Sequence, residues 1–145
     1  MIQLLNPTHW KDYELIDCGD FEKLERFGTL VLSRPEPQAV WKKVLSPEEW
    51  KKRAHITFRG RSATSGDWVK HQKNAPDRWN VNYQNDEISI NLRLGLTSFK
   101  HVGVFPEQAV NWDYISSSIK KFKTPSPKVL NLFAYTGAAS LAAKA

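Results

Sequence analysis

The sequence predicts an α+β chain: a β-rich N-terminal unit over residues 1–99, joined to the opening of a doubly wound α/β unit over residues 100–145. Three observations carry this. Short β-rich runs separated by turn residues fill most of the stretch from Asp12 to about Leu96. Near Lys100 the apolar spacing changes from that of strands to that of a helix. Finally, the apolar run Val129 to Phe133 is too short for a helix, is bounded by Pro127 and by Tyr135-Thr136-Gly137, and leads into an alanine- and leucine-rich stretch. Such a run reads as a buried parallel strand, a tight loop and a helix start. In sheets of that kind ligands bind beyond the carboxyl ends of the strands.

Taken in order, Tyr13 to Cys18 and Thr29 to Ser33 read as strands, with the charged segment Asp20 to Arg26 joining them and a hairpin closing between them. Arg34-Pro35-Glu36-Pro37 is expected to be irregular or extended, because each proline restricts its predecessor and lacks an amide donor. Ser46-Pro47-Glu48-Glu49 starts a short helix to about Arg53: serine caps, proline suits the first turn, and Glu49 stands where a capping box needs it. Ala54 to Phe58 reads as a strand, and the segment from Gly60 to Gly66 as an exposed loop. Trp79 to Gln84 and Ile88 to Leu94 alternate apolar and polar residues, so they form an antiparallel pair turning at Gln84-Asn85-Asp86-Glu87. From Pro106 to about Phe122, Trp112, Ile115, Ile119 and Phe122 fall at helical spacing, with Lys120, Lys121 and Lys123 at the end where cations suit the dipole. Thr124-Pro125-Ser126-Pro127 is then a linker.

Lys and Arg number 21 against 15 Asp and Glu, a formal charge of +6. That balance favours an anionic partner such as RNA over a cationic one, while a solvated basic surface gives the same count. A single cysteine, Cys18, excludes an internal disulfide and a multi-cysteine zinc site, and its place in a strand-like run suits a small buried residue. His9, His55, His71 and His101 are scattered without metal-ligand spacing, so no metal site is expected. No apolar stretch spans a membrane and the N-terminus lacks a signal pattern, so a cytoplasmic protein with no membrane partner is expected.

A fold that grips a pyrophosphate calls for Gly-x-Gly-x-x-Gly, and here only Gly137 is present, which argues against a dinucleotide oxidoreductase. A cofactor without phosphate needs one glycine that lets the backbone come close; a plain strand-to-helix turn needs the same glycine. The stretch Val129-Leu130-Asn131-Leu132-Phe133-Ala134-Tyr135-Thr136-Gly137-Ala138-Ala139-Ser140 resembles the first motif of class I S-adenosylmethionine-dependent methyltransferases. It is most similar to the large-subunit ribosomal-RNA group related to the cytosine-C5 enzymes. Gly103-Val104-Phe105-Pro106-Glu107-Gln108 is similar to the Gly-x-x-x-Asp-Gln-Arg element upstream of the cofactor strand in that group, with Ala109 standing in place of its arginine. Leu32 to Trp41, Leu-Ser-Arg-Pro-Glu-Pro-Gln-Ala-Val-Trp, resembles the β-rich N-terminal part of one branch.

The resemblance implies that residues 100–145 open a Rossmann-like methyltransferase domain whose cofactor is S-adenosyl-L-methionine. It places Gln108, Phe133, Ala134, Tyr135, Thr136 and Gly137 at the cofactor, with Tyr135 as an aromatic wall and Gln108 approaching from the preceding helix. An exposed helix position is the other reading of Gln108. The family's acidic ribose-binding residue, its Asp-Pro-Pro-type loop and any catalytic cysteine fall outside these 145 residues, so no catalytic residue is assigned and the chain alone is expected to be inactive. RNA contact is expected at Arg59 and Arg61, with Trp68, Lys70 and Lys73 beyond, because basic side chains interleaved with an aromatic hold phosphates and stack a base; a solvated loop has the same composition. The other class of function is a stand-alone β-rich module that binds nucleic acid or a protein partner without catalysis. An unpaired strand at Val129 to Phe133 is expected to promote self-association.

Overall fold

The computed structural model describes residues 5–7, 9–62, 65–122 and 126–144. Along the described chain run β1 (Tyr13–Gly19), β2 (Glu22–Phe27), β3 (Leu30–Pro35), α1 (Pro47–Arg53), β4 (Ile56–Gly60), β5 (Gly66–Lys70), β6 (Arg78–Gln84), β7 (Ser89–Gly95), α2 (Ala109–Lys121) and α3 (Ala138–Lys144). A 3-10 turn, Pro106–Gln108, leads into α2. Strands β1 to β5 form one sheet in sequence order, antiparallel except between β3 and β4, while β6 and β7 pair as a separate hairpin. A parallel step needs a crossover, and α1 provides it. Among the described residues no helix is long and apolar enough to cross a membrane.

Alternation along β3 decides what packs on each face of the five-stranded sheet. Val31 turns toward α1 and joins Leu24, Trp50 and Ala54, whereas Leu30 and Leu32 turn toward the main core. Tyr83 of β6, Leu94 of β7, Trp112 of α2 and Ala142 of α3 complete that core, so one apolar cluster draws on residues from both sides of position 100. Each large side chain buried there contributes about 1.5–3 kcal/mol. The rings of Trp10, Tyr83 and Trp112 meet edge to face with centroids 5.1–5.6 Å apart, an arrangement that adds to plain burial.

The helix start at Ser46 forms as local chemistry dictates: the Ser46 hydroxyl accepts the Glu49 amide at 3.2 Å and Pro47 takes the first turn. Glu49 does not close the box. Its carboxylate instead takes Arg53 Nε, one turn on, at 2.7 Å, the favoured i,i+4 pairing. The turn of the β6–β7 hairpin also follows the sequence. Asn85 Oδ1 accepts the amides of Glu87 and Ile88, as asparagine does in such turns.

Four expectations are corrected. The charged segment before Phe27 is strand β2, whose charges are matched by β1 and by the chain after β3: Arg26 pairs with Glu14, Lys23 with Glu36 and Glu22 with Lys43. Its inward-facing Glu25 is buried against Arg34 of β3, which donates from Nε at 3.0 Å, while Tyr13 donates its hydroxyl to the other carboxylate oxygen at 3.0 Å. Beyond the exposed turn at Arg61, Gly66–Lys70 is strand β5 against β4, so Trp68 and Lys70 lie in a sheet. Phe122 falls past the end of α2 and is exposed; the buried positions of that helix are Ala109, Trp112 and Ser116. Lys123 and the Thr124-Pro125 part of the expected linker lie outside the described residues. Last, Val129 to Phe133 is not a strand, and Leu130, Leu132 and Phe133 are 82%, 74% and 89% exposed. A parallel strand owes its burial to neighbours on the sheet and helices over it, and neither described sheet pairs with this segment.

After β3, the stretch from Glu36 to Trp41 is a strap across the β1–β2 turn. Asp20 and Phe21 stand at φ of 48° and 65° there, a conformation uncommon for residues with side chains. Their amides donate to the carbonyls of Trp41 and Ala39 at 2.7 and 2.8 Å, and the Trp41 indole donates to the Cys18 carbonyl at 2.9 Å. Gly19 is required at this crossing because a Cβ would sit 2.4 Å from the Lys43 amide nitrogen.

Candidate functional site

The loop after Asn131 is held from three sides. Asn131 Oδ1 accepts the Phe133 amide at 3.2 Å and its Nδ2 donates to Ser140 Oγ at 2.9 Å, tying the loop's entry to α3. The Gly137 amide closes a tight turn on the Ala134 carbonyl at 2.7 Å. Thr136 Oγ1 donates to the Gly103 carbonyl at 2.7 Å, which fastens the loop to the segment that follows β7. Within this frame Tyr135 sits at φ 46° and Gly137 at φ 89°. A tyrosine in the left-handed region carries conformational strain, of the kind that gathers where a chain meets a ligand. A Cβ added at Gly137 would meet nothing within 4 Å, so the glycine answers to its backbone angle and fronts open space.

These restraints shape an open cleft of about 340 Å³, lined by Gln108, Phe133, Ala134, Tyr135 and Thr136 together with Val104, Phe105, Trp112, Ala138 and Ala139. Five of the six residues expected at a cofactor thus meet around one space, with Gly137 adjoining them in the loop. The volume is of the order that small-molecule sites need. Tyr135 lies 5.1 Å from Phe105, ring centre to ring centre, and His101 lies 5.0 Å from Phe105. Burial, with the positive charge of Arg34 next in importance, holds His101 below its ordinary value of 6.5, so its ring is neutral at pH 7. Gln108 is exposed, lines the cleft, and its Oε1 accepts Asn111 Nδ2 at 2.9 Å, which leaves its amide nitrogen without that bond.

No protein-family model matches the chain, and no curated protein matches it. Solved structures do. Over 96% of its length the chain is similar to the crystal structure of the SAM-dependent methyltransferase from Agrobacterium tumefaciens, with 35% identity and a TM-score of 0.83. A Streptococcus mutans protein provisionally assigned as a SAM-dependent methyltransferase shares the fold over 92% of the chain, at 18% identity and a TM-score of 0.57. The structural neighbours are SAM-dependent methyltransferases. The chain spans 42% of the Agrobacterium protein's length and 35% of the Streptococcus protein's.

Val104, Phe105, Trp112, Ala138 and Ala139 also line the cleft; Val104 and Phe105 lie inside the Gly103 to Gln108 element and Ala138 and Ala139 inside the Val129 to Ser140 motif, so Trp112 is the one of these outside both. Trp112 reads from sequence as core alone, and its edge reaches the cleft only because α2 packs beside α3. The basic residues expected at RNA are placed differently from one another. Arg61 Nε meets Asp67 at 3.0 Å and Lys70 Nζ meets Asp77 at 2.8 Å. Trp68 packs edge-on to Phe58 at 5.0 Å and donates its indole N–H to the Thr97 carbonyl. Arg59 and Lys73 are exposed and meet no carboxylate among the described residues. Cys18 is a half-buried free thiol. His55 accepts the Val31 amide through Nδ1 and His71 shares a hydrogen bond with Thr57, so both serve the sheet.

Proposed function

We propose that the chain is the N-terminal part of an S-adenosylmethionine-dependent methyltransferase, and that its last segment is one wall of the cofactor site in a Rossmann-like domain. The observation that carries this is the cleft itself, where Gln108 and the loop Phe133 to Thr136 converge from separate elements. Support comes from the 35% identity with the Agrobacterium methyltransferase. The residues suit the ligand: an apolar and aromatic lining for the methionine chain and sulfonium, a primary amide at Gln108 for its polar end, and open space before Gly137 where the backbone comes close. A sulfonium is cationic, and the face of Tyr135 beside it is a favourable neighbour. The cofactor supplies an electrophilic methyl group; this chain's share is to hold and orient it, and alignment is the main contribution proteins make to such transfers.

The acceptor in this reading is an RNA base, ribosomal RNA being the substrate implied by the motif resemblance. The basic balance of the chain, +6, favours such an anionic substrate. With Phe133 89% exposed, the cleft is one-sided, and the chain by itself is expected to transfer no methyl group. Calorimetric titration with S-adenosylmethionine and its demethylated product tests the site. Binding is expected to weaken by about tenfold, equivalent to about 1.4 kcal/mol, in Tyr135→Ala and in Gly137→Val. Binding that neither substitution disturbs would place the ligand elsewhere and remove the basis of the reading.

A further inference from the structure

A second cleft, of about 480 Å³, adjoins the first and shares Tyr135 and Thr136 with it; Arg78, Arg93, Phe99 and His101 line its other side. Both arginines stand on the solvent face of the β6–β7 hairpin. Arg78 is opposite Gly95 and Arg93 is opposite Asn80, so the two are diagonal neighbours, within reach of one another. Along the described chain Arg26, Arg34, Arg53 and Arg61 each have a carboxylate. Arg78 and Arg93 have none among the described residues. Two adjacent cations left without a counter-ion repel, and an anionic ligand removes that cost.

The rest of that hairpin face adds Asn80, Asn82, Gln84, Ser89 and Asn91; no strand residue on it is acidic, and the carboxylates Asp12, Asp86 and Glu87 border it at the Asn82 end, away from the arginines. Amide and guanidinium side chains are those that contact phosphate, sugar and base edges. Phe99, 53% exposed, offers a ring at the same opening. A protein partner with an acidic surface would use the arginines but has no need of the ring or of a direct opening into the cofactor cleft.

We infer that this hairpin face, from Asn82 to Arg78 and Arg93, binds a single-stranded RNA segment, and that it delivers the acceptor nucleotide past Phe99 to the junction at Tyr135. The inference rests on the methyltransferase reading for its direction of delivery, and the RNA contact itself stands apart from that reading. The set differs from the β4–β5 residues that composition alone suggests.

Fluorescence anisotropy of a labelled single-stranded RNA of about a dozen nucleotides, titrated with the chain at about 50 and about 200 mM salt, tests it. Arg78→Gln with Arg93→Gln is expected to weaken binding at least about tenfold at low salt and to reduce the slope of log affinity against log salt by about 1.4, or about 0.7 per lost contact. Phe99→Ala should weaken RNA binding but leave polyglutamate binding unchanged. Arg59→Gln, on the other sheet, should change little. Unaltered affinity and slope in the double variant, a greater loss from Arg59→Gln, or polyglutamate bound as tightly as RNA through the same arginines would each overturn the assignment. S-adenosylmethionine titrated into the same variants separates the two readings. If it binds them as it binds the parent while RNA binding ignores the arginines, the RNA face is wrong and the cofactor cleft stands.

Discussion

Arg34 is only 3% exposed and Glu25 1%, in a face otherwise filled by Phe27 and Leu32. Taking two charges out of water is costly, and the cost is offset only if every donor and lone pair is used. Here the guanidinium spends Nε and Nη2 on Glu25, donates Nη1 to the Lys100 carbonyl at 2.9 Å, and lies 5.4 Å from the Phe27 ring centre. The second carboxylate oxygen takes the Tyr13 hydroxyl, whose own ionisation burial suppresses, with the Glu25 charge second. Arg34→Met alone should therefore destabilise the chain by about 3 kcal/mol, the low end for a broken buried pair, because Glu25 keeps only Lys23 Nζ at 3.5 Å as a cation. Adding Glu25→Leu should recover part of that loss. Urea unfolding of the three chains measures it, and a single variant within about 1 kcal/mol of the parent would show that water reaches the pair.

Which elements the sequence discloses depends on whether their cause is local. The cap at Ser46, the Asx turn at Asn85 and the alternation of Ile88 to Leu94 are set by residues a few positions apart, and each is legible in the sequence. β2 is not, because Glu22, Lys23, Glu25 and Arg26 become strand residues only through partners on β1, β3 and the strap. The reverse holds at Val129 to Phe133, where apolar character reads as burial but no strand among the described residues covers the run. The cleft was legible because four of its residues are consecutive and Gln108 sits in a second motif; Trp112 reaches it through helix packing that no local pattern encodes. An apolar run so exposed marks an interaction surface. The chain should accordingly show concentration-dependent self-association in sedimentation velocity, reduced by Leu130→Lys with Leu132→Lys, which spare the cleft residues. A monomer at all concentrations, or association indifferent to both lysines, would rule that out.

Across the whole molecule the hairpin β6–β7 is the shared wall: its apolar side carries the core and its polar side carries the unpaired arginines. Tyr83 joins the parts most directly. Its ring packs on Trp10 and Trp112, and its hydroxyl donates to Asp113 of α2 at 2.5 Å, where Asn85 also donates at 2.6 Å. His9 Nε2 lies 2.7 Å from the same hydroxyl, so the N-terminal segment, the hairpin and α2 meet at one phenol. A core shared in this way unfolds as a unit, since removing α2 strips cover from β6 and β7. Trp112→Ala, 2% exposed in the parent, should cost about 3–5 kcal/mol and should do so equally for all elements. Far-ultraviolet circular dichroism, which follows every element, and hydrogen exchange at β2 and β3, remote from the substitution, should report the same loss. If β2 and β3 keep their full protection while α2 and α3 lose theirs, the two halves are independent folding units, and the position of the cleft at Tyr135 relative to the hairpin is set by contacts other than this core.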